Sequence, residues 1–275
     1  MNPTPPRPLA ELAVVPDLVG VLCDIDDTLT HEGRLVPEAL VALARLQLAG
    51  LAVIPVTGRP AGWVDHIARM WPVDGVVGEN GGLWSWYDAG ARRLRWRFLQ
   101  PADERRENRR RLDALADEIL ARVPGTALAS DQAYRALDLA IDFCEDVPAL
   151  PEDAIDRIVA AFSAAGATCK VSSIHVNGWF GRFDKLEGIR RLHRDRFGGA
   201  IDPTRWAFFG DSANDEPMFA AFPLSVGVAN VRRFLPRMQS WPAFITQAEG
   251  GHGFVEAVDH LLNLGLRGPA PLPGR

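Results

Sequence analysis

Val19 to Thr30, VGVLCDIDDTLT, is the stretch that decides the fold. It begins as an apolar run with β-branched residues, which is typical of a buried strand, and changes abruptly to three carboxylates, Asp24, Asp26 and Asp27. In an open α/β sheet, ligands bind in the crevice beyond the carboxyl ends of the strands. An acidic cluster at a strand end is also typical of a turn or a helix cap, so the rest of the chain has to decide between these interpretations.

Strands and helices alternate after this stretch. Residues 37–50 have apolar residues at helical spacing, with a proline in the first turn and a glycine at the end. Leu51 to Val56 is a second apolar strand, which ends at Thr57 to Pro60 before another helical pattern over residues 61–70. The alternation predicts an α/β fold with a doubly wound parallel sheet, in which Thr57 and Asp24 lie at the same edge.

The same alternation returns near the C-terminal end. Asp184 is a predicted N-cap of a helix, and Lys185 then lies in its first turn. A cation there opposes the helix dipole by ~0.3–1 kcal/mol, so stability alone does not favour a lysine at this position. A buried strand follows and ends in Gly210 to Asp215, GDSAND, which again places carboxylates at a carboxyl end. The sequence therefore predicts a polar site built from four separate stretches.

The segment between the two halves of this pattern has a different character. LWSWY and RRLRWRF flank turn residues and predict a β-hairpin, which is followed by two amphipathic helices and three more strands. We predict an inserted α+β cap domain over 85–183, with the core at 17–84 and 184–263. Residues 1–16 and 264–275 are predicted to be flexible tails.

Bulk composition excludes several classes of protein. The chain has 275 residues, a net charge of −5 and three cysteines. The acidic balance argues against a nucleic-acid partner. No stretch has the length of a membrane span or the pattern of a signal peptide, and the cysteines are too few and too widely spaced for a disulfide framework. These features predict a cytoplasmic protein; oligomeric state is left open.

The ordered set DIDDT, Thr57, Lys185 and GDSAND resembles the motifs of the haloacid dehalogenase superfamily. Glu79 to Gly82, ENGG, resembles the stretch before the large α/β cap of a subgroup with Cof-type, sucrose-phosphate, mannosylphosphoglycerate and trehalose-phosphate phosphatases and phosphomannomutases. The resemblance implies a core of this fold with a cap inserted between the second and third motifs. Asp27 stands where many members have glycine, and a variant ending in DDT also occurs among the phosphatases of the superfamily.

The resemblance implies a role for each motif. Asp24 is the nucleophile that forms an aspartyl-phosphate, and Asp26 is the acid and base for the leaving group and the water. Thr57 and Lys185 bind the phosphoryl oxygens. The implied cofactor is Mg²⁺, held by the Asp24 carboxylate, the backbone carbonyl of Asp26 and Asp211, with Asn214 and Asp215 supporting that shell.

Strand alternation predicts which cap residues face the core. In IHVNGW, His175, Asn177 and Trp179 lie on the polar face, as do the arginines of the hairpin, Arg93, Arg95 and Arg97. The residues expected to contact the substrate are Thr57, Gly58, Asn80, His175, Asn177 and Trp179.

These features favour a magnesium-dependent phosphatase that hydrolyses a sugar phosphate or a similar small phosphorylated metabolite. A phosphomutase of the phosphomannomutase type uses the same aspartyl-phosphate and is the alternative. A non-catalytic phospholigand-binding protein is a third hypothesis, which any metal-dependent turnover of an aryl phosphate excludes.

Overall fold

The computed structural model describes residues 4–14 and 17–268. Within these ranges the strands are β1 (Arg7–Pro8), β2 (Gly20–Cys23), β3 (Thr30–His31), β4 (Arg34–Leu35), β5 (Ala52–Pro55), β6 (Val76–Gly78), β7 (Leu83–Asp88), β8 (Arg93–Phe98), β9 (Ala127–Leu128), β10 (Leu139–Asp142), β11 (Thr168–Val171), β12 (His175–Trp179), β13 (Trp206–Gly210), β14 (Leu224–Gly227) and β15 (Phe244–Ile245). The α-helices are α1 (Pro37–Leu48), α2 (Ala61–Met70), α3 (Ala102–Arg122), α4 (Glu152–Ala164), α5 (Lys185–Phe197), α6 (Glu216–Ala221) and α7 (Gly250–Asn263).

A six-stranded parallel sheet forms the core, in the order β1-β15-β14-β13-β2-β5. Its central strands β2 and β13 are buried on both faces, because helices cover the sheet from both sides. One apolar cluster includes residues of α1, α2 and α7, and the other includes residues of α5 and α6. The predicted α/β doubly wound fold is confirmed.

The hairpin β7–β8 extends the core and does not begin the cap. β7 pairs with β6 in antiparallel fashion, and β6 is linked to the main sheet through a parallel bridge between Val56 and Val77. Trp84 and Trp86 pack in the same apolar cluster as Ile189 of α5. The sequence boundary at residue 85 is therefore corrected to about residue 100, because alternation within a hairpin does not reveal which sheet the hairpin joins.

The cap is an α+β unit made of α3, α4 and a four-stranded antiparallel sheet in the order β11-β12-β10-β9. Both helices pack on one face of this sheet through an apolar cluster that includes Leu112, Ile158, Ile141 and Val176. The other face of the sheet is turned toward the core. An inserted α+β cap is thus confirmed, with the hairpin removed from it.

The two terminal segments are more ordered than predicted. β1 pairs with β15 at the edge of the sheet, and Leu9 and Leu12 are buried, so residues 4–14 are not a flexible tail. At the other end Leu266 is buried and the Gly268 backbone donates to the Ala49 carbonyl oxygen. Residues 1–3, 15–16 and 269–275 of the predicted tails lie outside the described residues.

No helix in the described ranges is both long enough and apolar enough to cross a bilayer.

Candidate active site

Acidic side chains from two neighbouring strands meet at the carboxyl edge of the sheet. Asp24 follows β2 and Asp211 follows β13, and these strands pair in parallel. Each of Asp24, Asp211 and Asp215 offers a carboxylate oxygen within 4.8 Å of those of the other two, and all three are buried. The structure therefore brings the first and last predicted motifs together.

Lys185 is the cation of this cluster. Its Nζ lies 2.8 Å from Oδ1 of Asp24 and 2.7 Å from Oδ1 of Asp215, and it donates to Oδ1 of Asn214 at 3.3 Å. The side chain is only 1% exposed. These contacts explain why a lysine stands in the first turn of α5, where the helix dipole disfavours it.

Two features of the backbone place Lys185 against the sheet. The Asp184 carboxylate accepts from the Glu187 backbone N–H at 2.9 Å, so the predicted N-cap is present. Gly81 has φ 104° and lies so close to the Asp184 carbonyl that a Cβ atom there would collide with its oxygen. The turn after β6 thus approaches the first turn of α5 as only a glycine allows.

Asn214 and Asp215 hold the loop that carries Asp211. The Asp215 Oδ2 accepts from the backbone N–H of Asp211 at 2.9 Å, and Ser212 forms a capping box with Asp215. The Ser212 hydroxyl donates to Oδ1 of Asn214 at 2.9 Å. Both residues therefore fix the loop beside Asp211.

Crowding shifts the pKa values of these groups. Burial raises the pKa of Asp24 to about 7, with a further rise from Asp215 and Asp26, although Lys185 opposes the shift. Burial, Asp215 and Asp24 likewise raise the pKa of Asp211 well above its ordinary value. Burial acts to lower the pKa of Lys185, but Asp215 and Asp24 outweigh it and keep the ammonium charged. The three carboxyl groups of this cluster thus lie beside a single positive charge, that of Lys185.

Asp26 is turned away from this cluster and toward Arg59. Its Oδ1 and Oδ2 accept from Arg59 Nε at 2.9 and 3.1 Å. The Asp26 side chain therefore lies beside the cavity. The atom of Asp26 that the resemblance assigns to the ion is its backbone carbonyl oxygen, not this side chain. Arg59 follows Thr57 by two residues in the same turn, and this position was the signal that could have identified it.

Asn230 is a second residue that sequence reasoning missed. Its Nδ2 donates to the Asp27 carbonyl oxygen at 3.0 Å and to Oδ2 of Asp211 at 3.3 Å, and its Oδ1 accepts from the Gly250 backbone N–H. Asn230 therefore ties the loop after β2 to the loop after β13. Nothing in the local sequence distinguishes it.

The predicted phosphate-binding turn lies next to the cluster. Thr57 is fully buried and its Oγ1 accepts from the Arg59 backbone N–H at 3.0 Å, so its own hydroxyl hydrogen is free to donate. Gly58 lines the cavity beside Asp24. Asn80 does not line it: the residue is buried behind Gly58, and its backbone N–H donates to the Thr57 carbonyl. Asn80 thus supports the turn from behind.

The cap contributes two of its three predicted residues. His175 and Asn177 line the cavity together with Asp24. Trp179 does not: it is fully buried and stacks on Phe183 with ring centroids 5.2 Å apart. The strand alternation is right for its side of the sheet, but at this end of β12 the cap lies directly on apolar core residues.

The hairpin arginines, Arg93, Arg95 and Arg97, also lie away from the cavity. Arg95 pairs with Asp88 within the hairpin, and Arg97 is half-exposed and lies 3.8 Å from Asp195. These arginines do not face the cavity because the hairpin belongs to the core.

The cavity is nearly closed in this conformation. It is lined by core residues such as Asp24 and Ser212 and by cap residues such as His175, and its volume is about 10 Å³, which is room for one water molecule. A larger cleft of about 420 Å³ adjoins it, and Asp26 and Arg59 line both. In this conformation the space beside Asp24 is thus too small for an organic ligand.

A buried carboxylate joins the cap to the core beside the cavity. Glu79, at the end of β6, accepts four backbone N–H groups, from Ala61 of α2 and from Ala136, Leu137 and Asp138 of the cap. Sequence reasoning gave Glu79 no role of its own, because its four partners are distant in the chain.

Glu79→Ala is expected to lower the free energy of unfolding by ~4 kcal/mol, since it leaves four buried donors without an acceptor at ~1–3 kcal/mol each, partly relieved by water. Urea denaturation measures this change. Glu118→Ala, which removes a carboxylate from an exposed pair with Arg122, is the control and should cost under ~0.5 kcal/mol. A loss below 1 kcal/mol for Glu79→Ala would show that the contacts are not structural.

Comparisons with known proteins agree with this geometry. A family model described as haloacid dehalogenase-like hydrolase matches residues 21–103. A phosphoglycolate phosphatase of Methanothrix thermoacetophila is 28% identical over 260 residues, which cover 90% of this chain and 98% of that protein. The predicted resemblance to the haloacid dehalogenase superfamily is confirmed. The expected enzyme class, a phosphatase, is confirmed with it.

Solved structures have the same fold as this chain. A protein of Thermoplasma acidophilum superimposes with a TM-score of 0.67 at 18% identity and covers 90% of this chain and 99% of its own. The sucrose-phosphatase of Synechocystis, solved with sucrose and phosphate, gives a TM-score of 0.62 at 18% identity and covers 89% and 97%. Each superposition covers about nine-tenths of this chain and so includes residues of both its core and its cap.

Proposed function

We propose that the enzyme is a magnesium-dependent phosphatase that hydrolyses a small phosphorylated metabolite through an aspartyl-phosphate on Asp24. The observation that carries this proposal is the buried contact of Asp24 with Lys185 at the carboxyl edge of the sheet, inside a cluster with Asp211 and Asp215. The three unpaired cysteines are consistent with a reducing compartment, and we place the enzyme in the cytoplasm.

The residues present fit a magnesium ion. Asp24, Asp211 and Asp215 place three carboxyl groups beside the single ammonium of Lys185, and the donors are all oxygens, as this hard cation requires. Asp24, Asp211 and the backbone carbonyl of Asp26 would hold the ion. When bound, it supplies positive charge at the phosphoryl group and relieves the repulsion among the carboxylates.

The side chains of the chain perform the two chemical steps. A carboxylate oxygen of Asp24 forms a bond to phosphorus while the bond from phosphorus to the ester oxygen breaks, and Asp26 donates a proton to that oxygen. Lys185 and the Thr57 hydroxyl bind the phosphoryl oxygens. Water then attacks the phosphorus of the aspartyl-phosphate, Asp26 accepts its proton, and phosphate leaves with Asp24 restored.

Small substrates suit the site. The cavity beside Asp24 is enclosed by Gly58 and the cap residues His175 and Asn177, so a short alcohol portion requires the smallest displacement of the cap. The named substrate of the Methanothrix relative, phosphoglycolate, has a short alcohol portion, whereas the sucrose bound by the Synechocystis protein is larger.

A panel of phosphate esters with assay of free phosphate tests the proposal. We expect metal-dependent release of phosphate from at least one short ester and slow turnover of an aryl phosphate. Isomer formation without free phosphate would show a phosphomutase instead, and no turnover of any ester with or without metal would contradict an enzymatic role.

Removal of the metal should abolish turnover and lower stability. A chelator is expected to stop phosphate release, and added Mg²⁺ should restore it and raise Tm by a few degrees, because an ion bound to the folded state alone stabilises it. In Asp211→Asn, which removes one carboxylate, the shift in Tm should disappear. A Tm shift of equal size in that variant would place the ion elsewhere.

A further inference from the structure

A cap carboxylate lies between two cationic or donor side chains at the edge of the cavity. Glu145 Oε1 lies 2.7 Å from Nη2 of Arg59, and its Oε2 lies 3.4 Å from Nη1 of Arg59 and 2.9 Å from Nε2 of His175. Two forked nitrogens facing two carboxylate oxygens is the usual arrangement of arginine with a carboxylate. The core and cap therefore build a carboxylate-binding site together.

This site is formed by buried residues, whereas Glu145 is more accessible. The side chains of Arg59 and His175 are 7% and 3% exposed, and that of Glu145 is 25% exposed. Arg59 and His175 line the small cavity beside Asp24, but Glu145 lines only the larger cleft outside it. Glu145 thus approaches the site from the side that is open to solvent.

Glu145 is held there by its own loop. The Asp142 carboxylate accepts from the backbone N–H groups of Cys144, Glu145 and Asp146 at 2.8–2.9 Å, which fixes the loop after β10. Burial acts to raise the pKa of Glu145, but the contacts with His175 and Arg59 outweigh it and lower the pKa to about 2. Glu145 is therefore a fixed anion at neutral pH.

Glu145 can leave the site without isolating a buried charge. The Nε2 atom of His175 is buried, lies 2.9 Å from Oε2 of Glu145 and has no other polar partner in the described residues. Arg59 also contacts Asp26 and Asp131, so it keeps two carboxylate partners if Glu145 leaves. Departure of Glu145 therefore leaves Arg59 paired with two carboxylates, and it makes Nε2 of His175 available to an oxygen of the substrate.

We propose that Arg59 and His175 form a subsite for a carboxylate at the end of the substrate remote from its phosphoryl group, and that Glu145 fills this subsite until the substrate displaces it. This proposal rests on the proposed phosphatase function and narrows its substrates to short phosphate esters that carry a carboxylate. The subsite and Asp24 line one small cavity, so the carboxylate and the phosphoryl group can be separated by only a few bonds.

Two matched esters test the subsite. Phosphoglycolate carries the carboxylate, and 2-hydroxyethyl phosphate has the same length without it. For the wild-type enzyme, we expect kcat/KM to be at least about tenfold higher for phosphoglycolate, the effect of one charge-assisted contact. Glu145→Gln and Glu145→Ala should each raise this ratio by about fivefold or more, through a lower KM for phosphoglycolate, since the competing anion is gone. His175→Gln should lower the ratio.

Glu152→Gln is the matched control. Glu152 of α4 pairs with Arg237 of the core, so it also joins cap to core through a carboxylate, but on the exposed surface. Its ratio should stay at the wild-type value. Ratios that are unchanged or lower in both Glu145 variants, or a wild-type preference for 2-hydroxyethyl phosphate, would overturn the subsite while phosphatase activity stands. Absence of turnover of every ester would instead overturn the proposed function.

Discussion

Asp24→Asn is expected to lose at least ~1,000-fold in turnover on every phosphate ester, because an amide is neither a competent nucleophile nor an anionic metal ligand. Its Tm should not fall. Asp24 lies in a buried cluster where burial and other carboxylates raise its pKa to about 7, and a neutral side chain relieves that repulsion. Lys185 keeps its contact with Asp215. Steady-state kinetics and thermal unfolding of the same preparation measure both effects.

Asp27→Asn provides the control for this variant. Asp27 also follows β2, but its carboxylate pairs with Arg233 near the surface. Its φ of 55° is one that asparagine adopts readily, so the backbone is not strained by the change. Near wild-type turnover is expected for Asp27→Asn. If Asp24→Asn kept a tenth of the activity, Asp24 would not be the nucleophile.

Asp26→Asn is expected to lose at least ~100-fold on alkyl phosphates, which is the usual contribution of a positioned acid. The loss should be smaller on aryl phosphates, whose leaving group departs without a proton. Asparagine has the same shape as aspartate and retains one oxygen for Arg59, so the variant should fold with the cap in place. Comparison of kcat/KM across alkyl and aryl esters measures the effect, and an equal loss on both would contradict the acid role.

Residues at the ends of strands and helices were the part of the site that the sequence could predict. Asp24, Asp211 and Lys185 each lie at the end of an element whose apolar pattern is strong and local. The alternation of strands and helices predicts a parallel sheet, and in such a sheet these ends lie at one edge. The same reasoning placed His175 and Asn177 on the face of the cap that lines the cavity.

Long-range contacts explain what the sequence could not predict. The hairpin belongs to the core because β7 pairs with β6, and the sequence analysis did not recognise β6 as a strand. Trp179 shares a face with His175, but Phe183 covers it, and strand alternation does not show where along a strand the cavity ends. Glu145 lies in an irregular loop without a pattern, and its role depends on Arg59, which is 86 residues away.

The most direct test of the central claim is to trap the phosphoryl group on the protein. Asp26→Asn is mixed with an aryl phosphate and Mg²⁺, quenched in acid, and the peptides are analysed by mass spectrometry. Because this variant lacks the base that activates water, we predict that a phosphoryl group accumulates on Asp24. Phosphate release with no phosphorylated peptide, or a phosphoryl group on another residue, would contradict a mechanism through Asp24.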